Sequence, residues 1–329
     1  MATTDDTSDL RELVERPGPF LTLLIPSPSD RFGADDRFRT EQRNLLRSVS
    51  DEWTGDLEAI ESELADLPHD GGASLVAIRP KGGPTFFEFI ADPLQSGAAT
   101  VGDAPRLAPL IEARQRTISH VVVVTDKAGA DLSAFDGGTV TAQGAVEGDT
   151  EHIHRGHPGG WSQRRFQQRA ENTWNENADD VADSVVDMVD EVDARIVLVV
   201  GPTRARSMVS DRLEEQLQIP VRRIETGDVD GAADEIAREV ANVAASDTAD
   251  LLDRFRDRAA NGTAVSDLDA VTSALDEGRV ETLLVHDDDE DRSEVVDDLI
   301  RRALLTDAAV HVVPSVAVLD RGAAALLRW

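Results

Sequence analysis

The chain contains no cysteine. Disulfides, thiolate nucleophiles and cysteine metal sites are therefore excluded, and any chemistry must use oxygen, nitrogen or a bound ion. Lysine is almost missing as well, because of 33 lysines and arginines only Lys81 and Lys127 are lysine. No run of 18 apolar residues occurs, and the opening MATTDDTSDLREL lacks the basic and apolar regions of a signal peptide. The expectation is a soluble, cytoplasmic protein with no membrane partner. There is no internal repeat and no low-complexity linker.

What is present in excess is acid. Asp and Glu number 64 among 329 residues, for a formal net charge of -31. High acid with little lysine is the composition expected of a halophilic protein, where hydrated carboxylates keep the surface soluble and molar salt screens their repulsion. It leaves a nucleic-acid partner open, since the local charge of the contact face decides. Long-range attraction to phosphate is weak in such salt, so binding would lean on short, bidentate arginine contacts.

The length suits two or three domains, and the patterning divides the chain into three. Residues 1–116 read as an α+β domain. It has a helix near Asp9, an apolar strand from Phe20, polar helices over 35–53 and 55–65, and a hairpin at the KGG between two strand-like runs. Residues 117–240 read as a central α/β domain, with the strand ISHVVVVT, a Gly-punctuated meander, a long helix, then RIVLVVGP, a helix and IPVRRIE, including at least one parallel pair. A long acidic helix from Asp230 bridges onward. Residues 241–329 read as a small α/β/α sandwich, with SDLDAVTSALDEG a helix capped by Ser266 and stopped by Gly278.

One segment breaks the charge pattern. From His152 to Ala170 there is no Asp or Glu, while Arg155, Arg164, Arg165 and Arg169 all occur. Pro158, Gly159 and Gly160 read as an exposed loop before the long helix, whose apolar positions run Phe166, Ala170, Trp174, Ala178, Val181, Val185, Met188 and Val192. Gln163 falls at or just before its first turn. A glutamine is no strong base, but its amide can hold a water, and glycine backbone can approach a substrate that a Cβ would keep away. Arginines at a helix N-terminus reach phosphates. The plainer readings are a polar helix start for Gln163 and a solvated face paired with residues such as Glu171 for the arginines. Trp174 reads as core.

The meander, the Gly-Gly loop with a glutamine, the arginine-led helix and the GP-terminated strand together resemble the central, RNase H-like domain of the eukaryotic and archaeal class I release factors. ALDEGRVETLLVHDD and the closing GAAALLRW resemble that family's L7Ae-like C-terminal domain. In the family a Gly-Gly-Gln loop promotes hydrolysis of the ester joining peptide to tRNA. Here two residues, Trp161 and Ser162, separate the glycines from Gln163, and the N-terminal domain lacks the Asn-Ile-Lys-Ser stop-codon motif. The chain is therefore more similar to the release-factor-like peptidyl-tRNA hydrolase branch of ribosome quality control, which frees stalled chains without decoding. The resemblance implies Gln163, Gly159 and Gly160 as catalytic residues and Arg155, Trp161, Arg164, Arg165 and Arg169 as RNA-binding ones. It implies no cofactor or metal. The implied partners are peptidyl-tRNA, the large ribosomal subunit and a translational GTPase. The alternatives are a catalytically inactive tRNA- and ribosome-binding paralogue, and a nuclease acting at the tRNA CCA end.

Two other places hold residues with chemical potential. His152, His154 and His157 could hold zinc in principle, although a polar loop facing RNA is simpler. Gly201-Pro202-Thr203, with Arg204 and Arg206 following, sits where α/β sheets often bind phosphate, but its spacing fits neither a P-loop nor a dinucleotide fingerprint.

Overall fold

The computed structural model describes residues 7–26, 34–65, 67, 74–90, 94, 96–126, 129–136, 139–147, 160–225, 229–286, 293–314, 319 and 322–329, with the backbone course alone over 34–37, 139, 147, 160–174, 229–230 and 293. The chain divides into two compact units, one of Met1–Gln115 with Thr248–Trp329 and one of Arg116–Asp247. Among the described residues no helix is long and apolar enough to cross a membrane.

The first part of the chain contributes α1 (Ser8–Val14), β1 (Phe20–Ile25), α2 (Ala34–Ser48), α3 (Thr54–Ala65), β2 (Ser74–Pro80), β3 (Phe86–Ile90), β4 (Ala98–Gly102) and α4 (Ala108–Arg116). Its antiparallel sheet runs β3-β2-β1-β4. The hairpin at KGG forms as β2 and β3. All of β1 is buried, because alternate residues serve two cores. Leu21, Leu23 and Ile25 pack with Trp53 and Ile60 beneath α2 and α3, while Phe20 and Leu24 face α1 and α4. The sequence reading passed over β4 and α4. AATVG has no alternation, and only half-buried or exposed residues, to mark it as a strand.

The central unit holds β5 (His120–Thr125), β6 (Gly129–Asp136), β7 (Thr139–Glu147), α5 (Gly160–Glu191), β8 (Ile196–Val200), α6 (Thr203–Gln216), β9 (Val221–Ile224) and most of the first half of α7 (Val229–Ala260). Its sheet runs β7-β6-β5-β8-β9. The meander β5–β7 is antiparallel, and β5–β8 and β8–β9 are parallel. Val121, Val123, Val197 and Val199 face α5 and α6, whereas Val122, Leu198 and Val200 face Ala232, Ile236 and Val240 of α7. Burial on both sides explains why β8 reads as an unbroken apolar run.

From Thr248 onward α7 serves the other unit through Leu252 and Phe255. The remainder is β10 (Ala264–Val265), α8 (Leu268–Asp276), β11 (Val280–Val285), α9 (Ser293–Leu305), β12 (Ala309–Val312) and β13 (Ala323–Leu327), in a sheet ordered β10-β13-β11-β12. One face packs on α8 and α9 and the other on α7, giving the expected α/β/α sandwich. The cap of α8 differs from expectation. Asp267, one residue nearer the helix than Ser266, accepts from the amides of Asp269 and Ala270 at 3.1 and 3.2 Å. The expected stop does form: Gly278 at φ +66° donates to Leu275 O, and Arg279 N donates to Ala274 O.

Both ends of the chain enter one core, in which Leu10, Phe20, Val76 and Leu110 join Val271, Leu283, Leu299 and Ile300. Polar bonds reinforce it. The Arg301 guanidinium lies 5.6 Å from the Phe20 ring centre and donates to the carbonyls of Val14, Asp103 and Arg16 at 3.2, 3.2 and 3.3 Å. The Gln115 amide donates to Val310 O and accepts from Val312 N. Arg301→Ala should therefore lower the stability of this unit by about 2 kcal/mol. Hydrogen exchange should show β1 and β11 losing protection together; loss in β11 alone would contradict a shared core.

Candidate functional site

The central sheet is the platform for the segment singled out in the sequence. α5 begins at Gly160, so this glycine opens the helix instead of closing the preceding loop, and Gln163 falls in the first turn. Arg164, Arg165 and Arg169 follow within the next two turns. Arg155, Gly159 and the histidines His152, His154 and His157 lie outside the described residues, as do the side chains of Trp161, Gln163, the three arginines and Trp174. Among the described residues no three His, Cys, Asp or Glu side chains are grouped to hold a metal.

The helix start carries no acid in its first turn, a trait it shares with α4 and α6. α1, α3, α8 and α9 place Asp or Glu in their first turns, where a carboxylate complements the positive helix end. α5 places none there. Its first-turn amide dipoles and the arginines thus add to the same positive potential, which suits an anionic ligand.

Further along, α5 is fixed firmly. Ala178, Val181, Ala182, Val185 and Met188 are buried against the sheet, with the Met188 methyl 3.7 Å from where a Cβ on Gly144 would stand. Its flank is tied to α6 by Arg212, which pairs with Asp179 and donates to Asn175 Oδ1 at 3.0 Å. Burial and these ties set the helix axis, and the axis sets where Gly160 and Gln163 are carried.

A small cleft of about 40 Å³ opens at the carboxyl ends of β5 and β8, bordered by Thr125, Asp126, Asn177, Pro202, Arg204 and Met208. It has room for a few waters and no more. Gly201 immediately precedes Pro202 of its lining. It adopts φ +142°, and a Cβ there would stand 2.1 Å from Thr125 O, so only glycine lets the strand-to-helix turn approach β5 this closely. Opposite, Asp126 Oδ1 accepts from Gly129 N at 2.9 Å. The phosphate reading of this turn loses one arginine, because Arg206 is buried, donates to Ile224 O at 2.5 Å and lies 3.6 Å from Glu225. The sequence reading missed the cleft. Its one available signal was Asn177, a polar residue at a buried turn of α5.

His120, on β5, stacks on Phe135 with ring centres 4.6 Å apart, and its Nδ1 lies 2.7 Å from Ile118 O. Burial pushes its pKa below the ordinary histidine value, partly opposed by that hydrogen bond.

Comparison with known proteins places this architecture. Residues 119–262, from β5 to the end of α7, match the bacterial archaeo-eukaryotic release factor family 2. That stretch, a little under half of the chain, is thus similar to a release-factor family. It is similar to the uncharacterized protein Rv2629 of Mycobacterium tuberculosis, at 25% identity over 296 residues covering 84% of this chain and 77% of that one. Among solved structures, the archaeal translation termination factor aRF1 is 18% identical, with 98% of this chain and 97% of that one covered and a TM-score of 0.27. Ribosome-bound archaeal Pelota is 16% identical, with 99% and 94% covered and a TM-score of 0.47. Dom34 of S. cerevisiae is 11% identical, with 99% and 92% covered and a TM-score of 0.45.

Two outcomes follow for the platform. Gly201→Ala should cost about 3 kcal/mol or more, seen as an earlier urea transition of the central unit. Because the folded state disfavours charged His120, the stability this group contributes is complete above the unfolded value near pH 6.5 and is lost as pH falls below it. Between pH 7.5 and 5.5 the central unit of His120→Phe should therefore lose less thermal stability than that of the wild type; identical slopes would remove His120 from the account.

Proposed function

We propose that this protein is a ribosome-associated peptidyl-tRNA hydrolase, which releases nascent chains from stalled ribosomes without reading a stop codon. The observation that carries the reading is the acid-free, arginine-bearing start of α5, located inside the stretch that matches the release-factor family. In this reading Gly159 and Gly160 let the backbone approach the ester, and the Gln163 amide holds the attacking water or the terminal ribose. Water adds to the ester carbonyl, the carbon–oxygen bond to the ribose breaks, and the ribose oxygen leaves carrying a proton. The ester is intrinsically labile, so placement and exclusion of competing water can supply much of the acceleration.

Arg155, Arg164, Arg165 and Arg169 contact RNA phosphates and Trp161 stacks on a base. The helical phase separates two of the arginines from the glutamine. The period that buries Ala178, Val181 and Val185 runs back through positions 174, 170, 164 and 163, whereas 165 and 169 fall on the opposite side of the helix. The large ribosomal subunit and a translational GTPase are the proposed partners, the cytoplasm the proposed location, and molar salt the proposed working medium. A second reading has one observation in its favour: Trp161 and Ser162 displace the glutamine from the glycine pair, which would suit a factor that binds tRNA without hydrolysing it.

The experiment that separates the two compares variants on stalled ribosome–nascent chain complexes in high salt. Gln163→Ala should slow peptide release by about 100-fold while leaving association intact. Arg164→Ala with Arg165→Ala should weaken association itself. Absence of release by the wild type despite tight binding would establish the binding-only reading.

A further inference from the structure

The two edges of the central sheet are of opposite kinds. β9 is four residues long, and its exposed Arg222 and Arg223 are held by Glu239 and by Asp211 and Glu214. β7 is nine residues long and has no charged residue from Thr139 to Val146, in a chain of which 29% is charged. Val140 is 47% exposed, and Thr141, Gln143, Gly144 and Ala145 are exposed too. Among the described residues, β7 pairs as a strand with β6 alone. Sheets ordinarily blunt such an edge with lysine, proline or a short strand, and β7 uses none of these. Its backbone offers roughly 30 Å of hydrogen-bonding groups.

The neighbouring helix supplies a charge pattern. α5 lies over β5, β6 and β7, and α6 over β8 and β9. Asp179 and Asp183 turn toward α6, where they meet Arg212 and Gln216. Asp180, Asp187 and Glu191 fall on the outward face of α5, turned further from α6 than Asp179 and Asp183, and all three are exposed. Among the described residues no cation pairs with them. They extend over about 16 Å of helix.

We infer that the outer edge of β7 is a docking strand for an extended basic polypeptide. Its backbone continues the sheet, and every second side chain, lysine or arginine, reaches the acidic face of α5. A second copy of this chain would bring two acidic faces together, and nucleic acid would bring phosphates to them, so charge selects against both. The inference is independent of whether Gln163 hydrolyses an ester.

The test titrates the full chain with a nine-residue peptide alternating Arg and Val, and with a control in which proline replaces each Val. The alternating peptide should bind about tenfold tighter than the control, and β7 amides should exchange more slowly in its presence. The triple variant Asp180→Asn, Asp187→Asn, Glu191→Gln should lose roughly tenfold in affinity, as three exposed ion pairs would give. Val140→Lys with Ala145→Lys, both at exposed positions, should lose as much. Equal binding of the proline peptide, indifference to the triple variant, absence of binding, or dimerisation of the chain through β7 would each overturn the inference.

Discussion

The parallel pairing of β5 with β8 is the constraint on which the working part of the molecule depends. Both strands are buried, one face beneath α5 and α6 and the other against α7, and their register from His120 opposite Ile196 to Val124 opposite Val200 fixes where each helix begins. Gly201 closes the pair by letting the turn after β8 touch the end of β5. From this base α5 extends by about 25 Å from Asn177 to Gly160, taking a 1.5 Å rise per residue. The sheet therefore sets the direction of a long rod whose far end carries the residues proposed to do chemistry.

Charge distinguishes that far end from the rest of the chain. Across the described residues arginine is repeatedly committed to carboxylates: Arg79 to Asp56 and Glu63, Arg114 to Asp9 and Glu88, Arg302 to Asp276 and Asp298. For Arg114 the two carboxylates outweigh burial and raise its pKa above the ordinary arginine value. A protein with net charge -31 has acid to spare for every cation, so a stretch of 19 residues without any acid is a departure from its own habit. The first turn of α5 lies within that stretch and holds no acid. In high salt such close-range cations matter more than the overall field, which is screened within a few ångströms.

Much of the architecture was legible because it obeys simple periods. The valines of β5, the unbroken run of β8 and the three- and four-residue spacing of α5 are direct imprints of burial, and the Gly278 stop records a left-handed residue that glycine favours. Other features leave no such imprint. β4 is short and without alternation, and the choice of Asp267 over Ser266 as cap depends on one residue of register. The common core of the two chain ends depends on Phe20 meeting Arg301, a contact between residues 281 positions apart that no local pattern can announce. The arginine-led start of α5 was legible through composition, whereas the cleft beside Gly201 depended on a backbone angle. The neutral edge of β7 became meaningful only once the strand order placed it outermost.

The most direct measurement is of the tRNA left behind. Stalled ribosome–nascent chain complexes would be incubated with the full protein, and the 3′ end of the tRNA mapped at nucleotide resolution alongside the released peptide. Ester hydrolysis by water predicts free peptide and tRNA that retains its complete CCA end. Peptide still carrying tRNA nucleotides, with tRNA correspondingly shortened, would contradict the account and make the protein a nuclease.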